Sequence, residues 1–255
     1  YFSAYLDLVK KGQISLGQAV NIVVPTGNFG NILAAWYAKE MGLPVNRLIC
    51  ASNKNNVLTD FIRTGIYDKR RTFFQTISPS MDILVSSNLE RLLYELCDRN
   101  DDQLTSLMVQ LNENGFYSID GNAFKKLQSI MWGGYANEDQ TLASIRDTFR
   151  NTGYTIDPHT AVGKWVYDEY RRESGDDTVT VLASTASPFK FPRDVLEALE
   201  VKGSDDEIQM LDQLAEATGL IIPKPLQGLR NKQIRHTAEC SVDKMKEQVM
   251  AFINR

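Results

Sequence analysis

Residues 24–31 read VPTGNFGN. They lie between a short apolar run, Ile22-Val23-Val24, and a helical pattern from Ile32 to Met41. Gly42-Leu43-Pro44 then turns the chain into a second apolar run, Arg47-Leu48-Ile49-Cys50-Ala51. Strand, glycine loop, helix and strand within about 30 residues make a βαβ unit, whose strands are expected to be parallel and its crossover right-handed. Backbone N–H groups at a helix N-terminus lack intrahelical partners, and the helix dipole favours an anion there. Gly27 and Gly30 would let a phosphate approach without a Cβ in the way. Glycine also occurs in such turns because φ is positive or packing is close. The loop alone therefore fits a plain turn as well as a phosphate cradle.

Nucleotides fit it badly. The chain has neither G-x-x-x-x-G-K-[ST] nor G-x-G-x-x-G, and Asn46-Arg47-Leu48 stands about 20 residues on, where an acidic residue would hold a ribose. A phosphate carried by something other than an adenine nucleotide is the better ligand.

The whole chain narrows the classes further. Its 255 residues suffice for one large domain or two smaller ones. A net charge of −4 leaves no basic surplus for nucleic acid, and Lys69-Arg70-Arg71 and Arg171-Arg172 read as solvated faces. No apolar run approaches the roughly 18 residues of a membrane span. Three scattered cysteines, Cys50, Cys97 and Cys240, and two histidines, His159 and His236, argue against a disulfide scaffold or a zinc or other metal centre. That usage fits a reducing, cytoplasmic setting.

Along the chain, residues 1–9 read as a helix already under way, with no initiator Met, cap or signal pattern, so a fragment lacking its earlier part is expected. Asn53-Lys54-Asn55-Asn56 forms a polar loop at the carboxyl end of the second strand, where open α/β sheets place ligand groups. Residues 88–114 show two helices parted by a polar break at 98–103. Residues 115–150 read as helices joined by Gly115, Gly121 and Gly133-Gly134. A turn at Ile156-Asp157-Pro158-His159-Thr160 starts a helix to about Tyr170. Residues 178–183 read as a third buried strand, ending in Ser184-Thr185-Ala186-Ser187-Pro188. Helices near 192–200, 206–218 and 241–253 close the chain.

Pro25-Thr26-Gly27-Asn28-Phe29-Gly30-Asn31 resembles the loop that grips the phosphate of pyridoxal phosphate in threonine synthases, enzymes of fold type II. Further blocks follow in the family's order: Ala51-Ser52-Asn53-Lys54-Asn55-Asn56, Ser78-Pro79-Ser80-Met81-Asp82-Ile83, Ser86-Ser87-Asn88-Leu89-Glu90-Arg91, Asp157-Pro158-His159-Thr160-Ala161-Val162-Gly163 and Ser184-Thr185-Ala186. Together they cover most of residues 1–200; the tail beyond matches loosely. The resemblance implies an α/β fold with an open, mostly parallel sheet flanked by helices, like the tryptophan synthase β subunit. It implies a cofactor-binding domain over 1–200, incomplete at its N-terminus and with a helical insertion at about 88–155, then a C-terminal helical segment over 201–255.

The implied activity is that of a carbon–oxygen lyase acting on phosphates. It converts O-phosphohomoserine and water to threonine and phosphate by pyridoxal-phosphate-dependent elimination and hydration. Alternatives are a threonine-synthase-like phospholyase, another fold-type-II lyase or dehydratase, or a non-catalytic phosphate-binding module. By the same resemblance, Gly27, Asn28, Phe29, Gly30 and Asn31 would hold the cofactor phosphate, and Thr185 would face the pyridine nitrogen. Asn53, Asn56, Asp157, His159 and Lys190 are substrate-site candidates, with Asn56 standing where many relatives carry aspartate. Lys190 matches the lysine of a His-Pro-Ala-Lys-Phe block, in which Ser187 replaces the histidine and Phe189 the alanine. The family's Schiff-base lysine lies in a Phe-Lys-Asp segment. This chain has none, so that lysine is expected upstream of Tyr1 and the isolated chain is expected to be inactive. A small-molecule substrate is the expected partner, with neither nucleic acid nor membrane, and monomer and homodimer both fit.

Overall fold

Val23, Val24, Leu48, Ile49, Cys50 and Ala51 are fully buried, as apolar runs must be in a parallel sheet covered on both faces. The structure is a computed structural model describing residues 1–235 and 237–254; His236, the second histidine, lies outside them. In chain order the elements are α1 (Phe2–Lys10), β1 (Val20–Pro25), α2 (Gly30–Glu40), β2 (Val45–Ser52), α3 (Val57–Thr64), β3 (Ile66–Asp68), α4 (Leu89–Leu96), α5 (Asp101–Asn114), β4 (Phe116–Ser118), α6 (Gly121–Ile130), β5 (Met131–Tyr135), α7 (Glu138–Thr152), α8 (Pro158–Ser174), β6 (Thr180–Leu182), α9 (Pro192–Ala198) and α10 (Glu207–Thr218). These belong to one compact unit, Tyr1–Leu220. A second unit begins at Ile221 and contains α11 (Lys224–Gln227) and α12 (Met245–Ile253). Among the described residues no helix is long and apolar enough to cross a membrane.

The main sheet has the order β5-β2-β1-β6, and every pairing is parallel. Val23 stands opposite Ile49 on one side and Leu182 on the other. Alternation along the strands divides the core into two layers. Val23, Ile49 and Ala51 meet Val162, Val166 and Tyr170 of α8 on one face. Ile22, Val24, Leu48 and Cys50 meet residues of α2, α3 and α4 on the other. The helices on each face thus follow from the period-2 pattern of the strands.

Residues 115–150 depart from the expected run of helices. β4 pairs antiparallel with β3, stacking Tyr67 on Tyr117 at 5.3 Å between ring centroids. Gly133-Gly134, expected as a helix junction, lies inside β5, opposite Cys50 and Ala51. The reason is lateral space: a Cβ on Gly134 would sit 2.7 Å from the Trp132 ring and 2.9 Å from Val166 Cγ1 of α8. Glycine in a strand here marks close approach of a neighbouring helix, not a turn. Gly134→Ala is expected to lower unfolding free energy by about 1–3 kcal/mol through overpacking, measured by urea titration of the chain.

Candidate active site

The connection leaving β1 runs through α2 to β2, whereas β6 joins the opposite edge of β1. Strand order therefore reverses around β1, and open α/β sheets bind ligands in the crevice outside the carboxyl ends at such a point. The loop of residues 26–29 ends β1 there, and residues 183–187 leave β6 beside it, with the Ala183 N–H donating to the Val23 carbonyl at 2.9 Å.

Neither glycine of the loop has positive φ. Phe29 does, at 65°, as the residue preceding α2. A left-handed phenylalanine costs about 1–2 kcal/mol, and burial of its ring in the core (1% exposed) holds it there. A left-handed residue at a helix start turns successive N–H groups toward one side, forming an anion-binding nest. Among the described residues, none accepts a hydrogen bond from the backbone N–H of Gly27, Asn28, Phe29, Gly30 or Asn31. The carbonyls are turned elsewhere: Ser86 Oγ donates to the Gly27 carbonyl at 2.8 Å, and Asn88 Nδ2 to that of Asn28 at 2.8 Å. Gly27 is glycine because the chain crosses above it: a Cβ would lie 2.7 Å from the Ser80 carbonyl oxygen. Beside Gly30, only Asn88 Nδ2 lies within 4 Å of the Cβ position, at 3.5 Å. That leaves an open face with unpaired donors, which fits a phosphate monoester.

The crossing strand of chain is a one-turn 3-10 helix, Pro79–Met81. The Ser80 N–H donates to His159 Nε2 at 3.1 Å, so that nitrogen is unprotonated. His159 Nδ1 then carries the hydrogen and donates to Asp157 Oδ1 at 3.1 Å. Asp157 caps α8, accepting from the His159 N–H at 2.9 Å and from the Thr160 hydroxyl at 2.5 Å. Thr160 Oγ1 lies 2.9 Å from Ser184 Oγ, in the residue before Thr185. One chain of hydrogen bonds thus runs from the turn above Gly27 to the loop after β6. Burial works against ionisation of Asp157, but the hydrogen bonds from His159 and Thr160 outweigh it and hold the carboxyl below its ordinary range. The carboxylate therefore stabilises the fold above the unfolded-state value of about 3.9, and that contribution is lost as pH falls through the lower folded-state value. Asp157→Asn is expected to be less stable than the parent at pH 7, with the gap closing below about pH 4, as read from denaturation midpoints across pH.

The remaining expected positions divide into buried supports and exposed groups. Asn53, 1% exposed, spends its amide internally: Nδ2 donates to Thr76 Oγ1 at 2.8 Å and Asp82 Oδ1 at 2.7 Å, and Oδ1 accepts from the Asn55 N–H at 3.0 Å. These bonds shape the segment that leads into the 3-10 turn. Asn56 precedes α3 and accepts from Arg71 Nη1 at 3.1 Å, while the same guanidinium pairs with Asp60 at 2.8 Å. Thr185 and Lys190 are exposed. Lys190 ends a short 3-10 turn next to Phe191, whose ring packs 4.9 Å from that of His159.

Over most of its length the chain is similar to known proteins. Residues 160–253 match the family model described as threonine synthase, C-terminal. The threonine synthase of Pseudomonas aeruginosa is 39% identical over 198 residues, 78% of this chain and 40% of that protein. The chain is similar to the C-terminal part of threonine synthases. Human threonine synthase-like 1 is 46% identical over 201 residues, 78% of this chain and 27% of that protein. The solved PLP-bound threonine synthase of Brucella melitensis superposes with a TM-score of 0.73 at 38% identity, covering 85% of this chain and 44% of that one. The chain thus spans less than half the length of each of these relatives.

Several supports of this candidate site carry no sequence signal of their own. Tyr67 donates its hydroxyl to the Leu84 carbonyl at 3.1 Å and accepts the Ser86 N–H at 2.8 Å, anchoring the block that holds the Gly27 carbonyl. Burial pushes its phenol up to about 12. Ser86, Asn88 and Ser80 lie in recognisable family blocks, but their contacts with the glycine loop and with His159 become visible only in three dimensions.

Proposed function

We propose that this protein is a threonine synthase, using pyridoxal phosphate to convert O-phosphohomoserine and water into threonine and phosphate. The observation that carries the reading is the nest at the start of α2, with unpaired N–H groups at 27–31 and its carbonyls engaged by Ser86 and Asn88. Those N–H groups would hold the cofactor phosphate, aided by the positive end of the α2 dipole. Thr185 would offer a neutral hydroxyl to the pyridine nitrogen and leave it largely unprotonated, unlike a carboxylate. The cofactor, when bound, supplies the electron sink for carbanion chemistry on the amino-acid substrate.

The chain's own residues provide placement and charge. Asp157, His159 and Asn53 act beneath the substrate site, because their polar atoms are committed to internal partners. Exposed Lys190 is the candidate point charge for the substrate phosphate. Cys50, buried with its thiol pushed up to about 12 by that burial, is inert and suits a reducing cytoplasm. The sequence contains no Phe-Lys-Asp segment, and the 255 residues alone are expected to carry no turnover.

A second reading, a threonine-synthase-like phospholyase, is favoured by the greater identity to human threonine synthase-like 1, 46% against 39% for the Pseudomonas aeruginosa enzyme. The test is to express the whole reading frame and supply O-phosphohomoserine, serine or threonine. Equal release of threonine and phosphate from O-phosphohomoserine supports threonine synthase. Phosphate released with a keto acid and ammonia instead of threonine supports the phospholyase. Dehydration of serine or threonine with no action on O-phosphohomoserine overturns both.

A further inference from the structure

A cavity of about 520 Å³ opens beside β5, lined by Arg47, Arg63, Met131, Trp132, Tyr170 and Glu173 among others. We propose that it binds a small anion, a phosphate or carboxylate, between the guanidinium groups of Arg47 and Arg63. Its volume is in the range of metabolite sites. Arg47 and Met131 stand near the amino ends of β2 and β5, whereas the glycine loop follows the carboxyl end of β1. The two sites lie at opposite ends of a parallel sheet and are independent.

Both guanidiniums are held in place by neutral partners. Arg47 Nη1 donates to the Gln128 carbonyl at 2.6 Å, and Arg63 Nε to the Gly133 carbonyl at 2.7 Å. Arg63 also lies over the Trp132 ring, 5.2 Å from its centroid. Each of these hydrogen bonds uses one of five N–H donors. Among the described residues neither arginine has a carboxylate within ion-pair distance, whereas Arg70, Arg71, Arg99, Arg150 and Arg171 all do. Covering the carbonyl of an edge strand accounts for one Arg63 N–H. It leaves the other donors of both side chains at a cavity with apolar walls from Ile62, Met131 and Trp132. A planar guanidinium presents paired donors that match the oxygens of a carboxylate or phosphate. Glu173 is the one carboxylate in the lining, so two positive charges face one negative.

The test is a ¹⁵N–¹H titration of the 255-residue chain with inorganic phosphate, and separately with citrate, against chloride at matched ionic strength. The Trp132 indole and Arg63 Nε–H resonances are expected to shift and saturate with at least one anion, and which one does so identifies the ligand chemistry. Arg47→Met is expected to weaken that binding about tenfold or more. Glu173→Gln is expected to tighten it severalfold, a gain that misfolding cannot imitate. No saturable shift at Trp132 and Arg63 with either anion overturns the proposal, as does an unchanged affinity in both variants. Shifts at the amides of residues 27–31 report on the glycine loop separately, so failure of one site is distinguishable from failure of the other.

Discussion

Gly27→Ala is expected to weaken pyridoxal phosphate binding about 100-fold, equivalent to losing one or two charge-assisted hydrogen bonds of about 1.5–3 kcal/mol each. The new methyl would meet the Ser80 carbonyl oxygen at 2.7 Å and Met81 Cα at 3.1 Å. Both are backbone atoms and cannot rotate aside, so either the 3-10 turn lifts or the loop sinks. The turn is tied to His159, and the loop carbonyl to Ser86, which oppose each movement. Stability should fall as well, by about 1–3 kcal/mol for overpacking. Gly30→Ala separates the two effects. Its methyl meets only Asn88 Nδ2, at 3.5 Å, so folding should be little changed or slightly favoured while phosphate binding falls. Equilibrium denaturation paired with cofactor titration reads both quantities for each variant.

His159→Ala is expected to destabilise the protein by about 2–4 kcal/mol, combining a lost buried ring with unpaired polar groups at about 1–3 kcal/mol each. The ring is 4% exposed and joins three elements: it accepts from Ser80, donates to Asp157 and packs on Phe191. Without it, the Ser80 N–H loses its acceptor and the turn above Gly27 loses its tether to α8. Cofactor affinity should therefore drop together with stability. His159→Gln, which can still present an acceptor to Ser80, should recover part of both, as measured by the same titrations. Loss of stability with unaltered cofactor affinity would assign His159 to α8 alone and detach it from the glycine loop.

The βαβ unit was legible because its signals are local. Ile22-Val23-Val24 and the run ending at Ala51 are short apolar runs bounded by turn residues, which favours strands, and the glycine loop sits between strand and helix. β5 was not legible. Met131-Trp132-Gly133-Gly134-Tyr135 is short, and its two glycines resemble a turn until α8 is seen pressing on Gly134. The site shows the same division. The loop, the Asp157 cap and the residues after β6 could be marked from motif and order. The conformation of the loop could not: its positive φ belongs to Phe29, a residue type that disfavours it, and only the surrounding core holds it there. Asn53 and His159 could be picked as polar residues in suggestive loops. That they point inward, toward Asp82 and Ser80, depends on residues 29 and 79 positions away in the chain, which no local pattern encodes.

The measurement that bears most directly on the central claim compares pyridoxal phosphate with pyridoxal, the same ring without the phosphate, as ligands of the protein expressed from its whole reading frame. With charge-assisted hydrogen bonds of about 1.5–3 kcal/mol each from the nest at residues 27–31, the phosphate form should bind at least about 100-fold more tightly. That ratio should collapse toward one in Gly30→Ala. Equal affinity for the two ligands, or a ratio indifferent to Gly30→Ala, would contradict the assignment of this loop as the phosphate cradle.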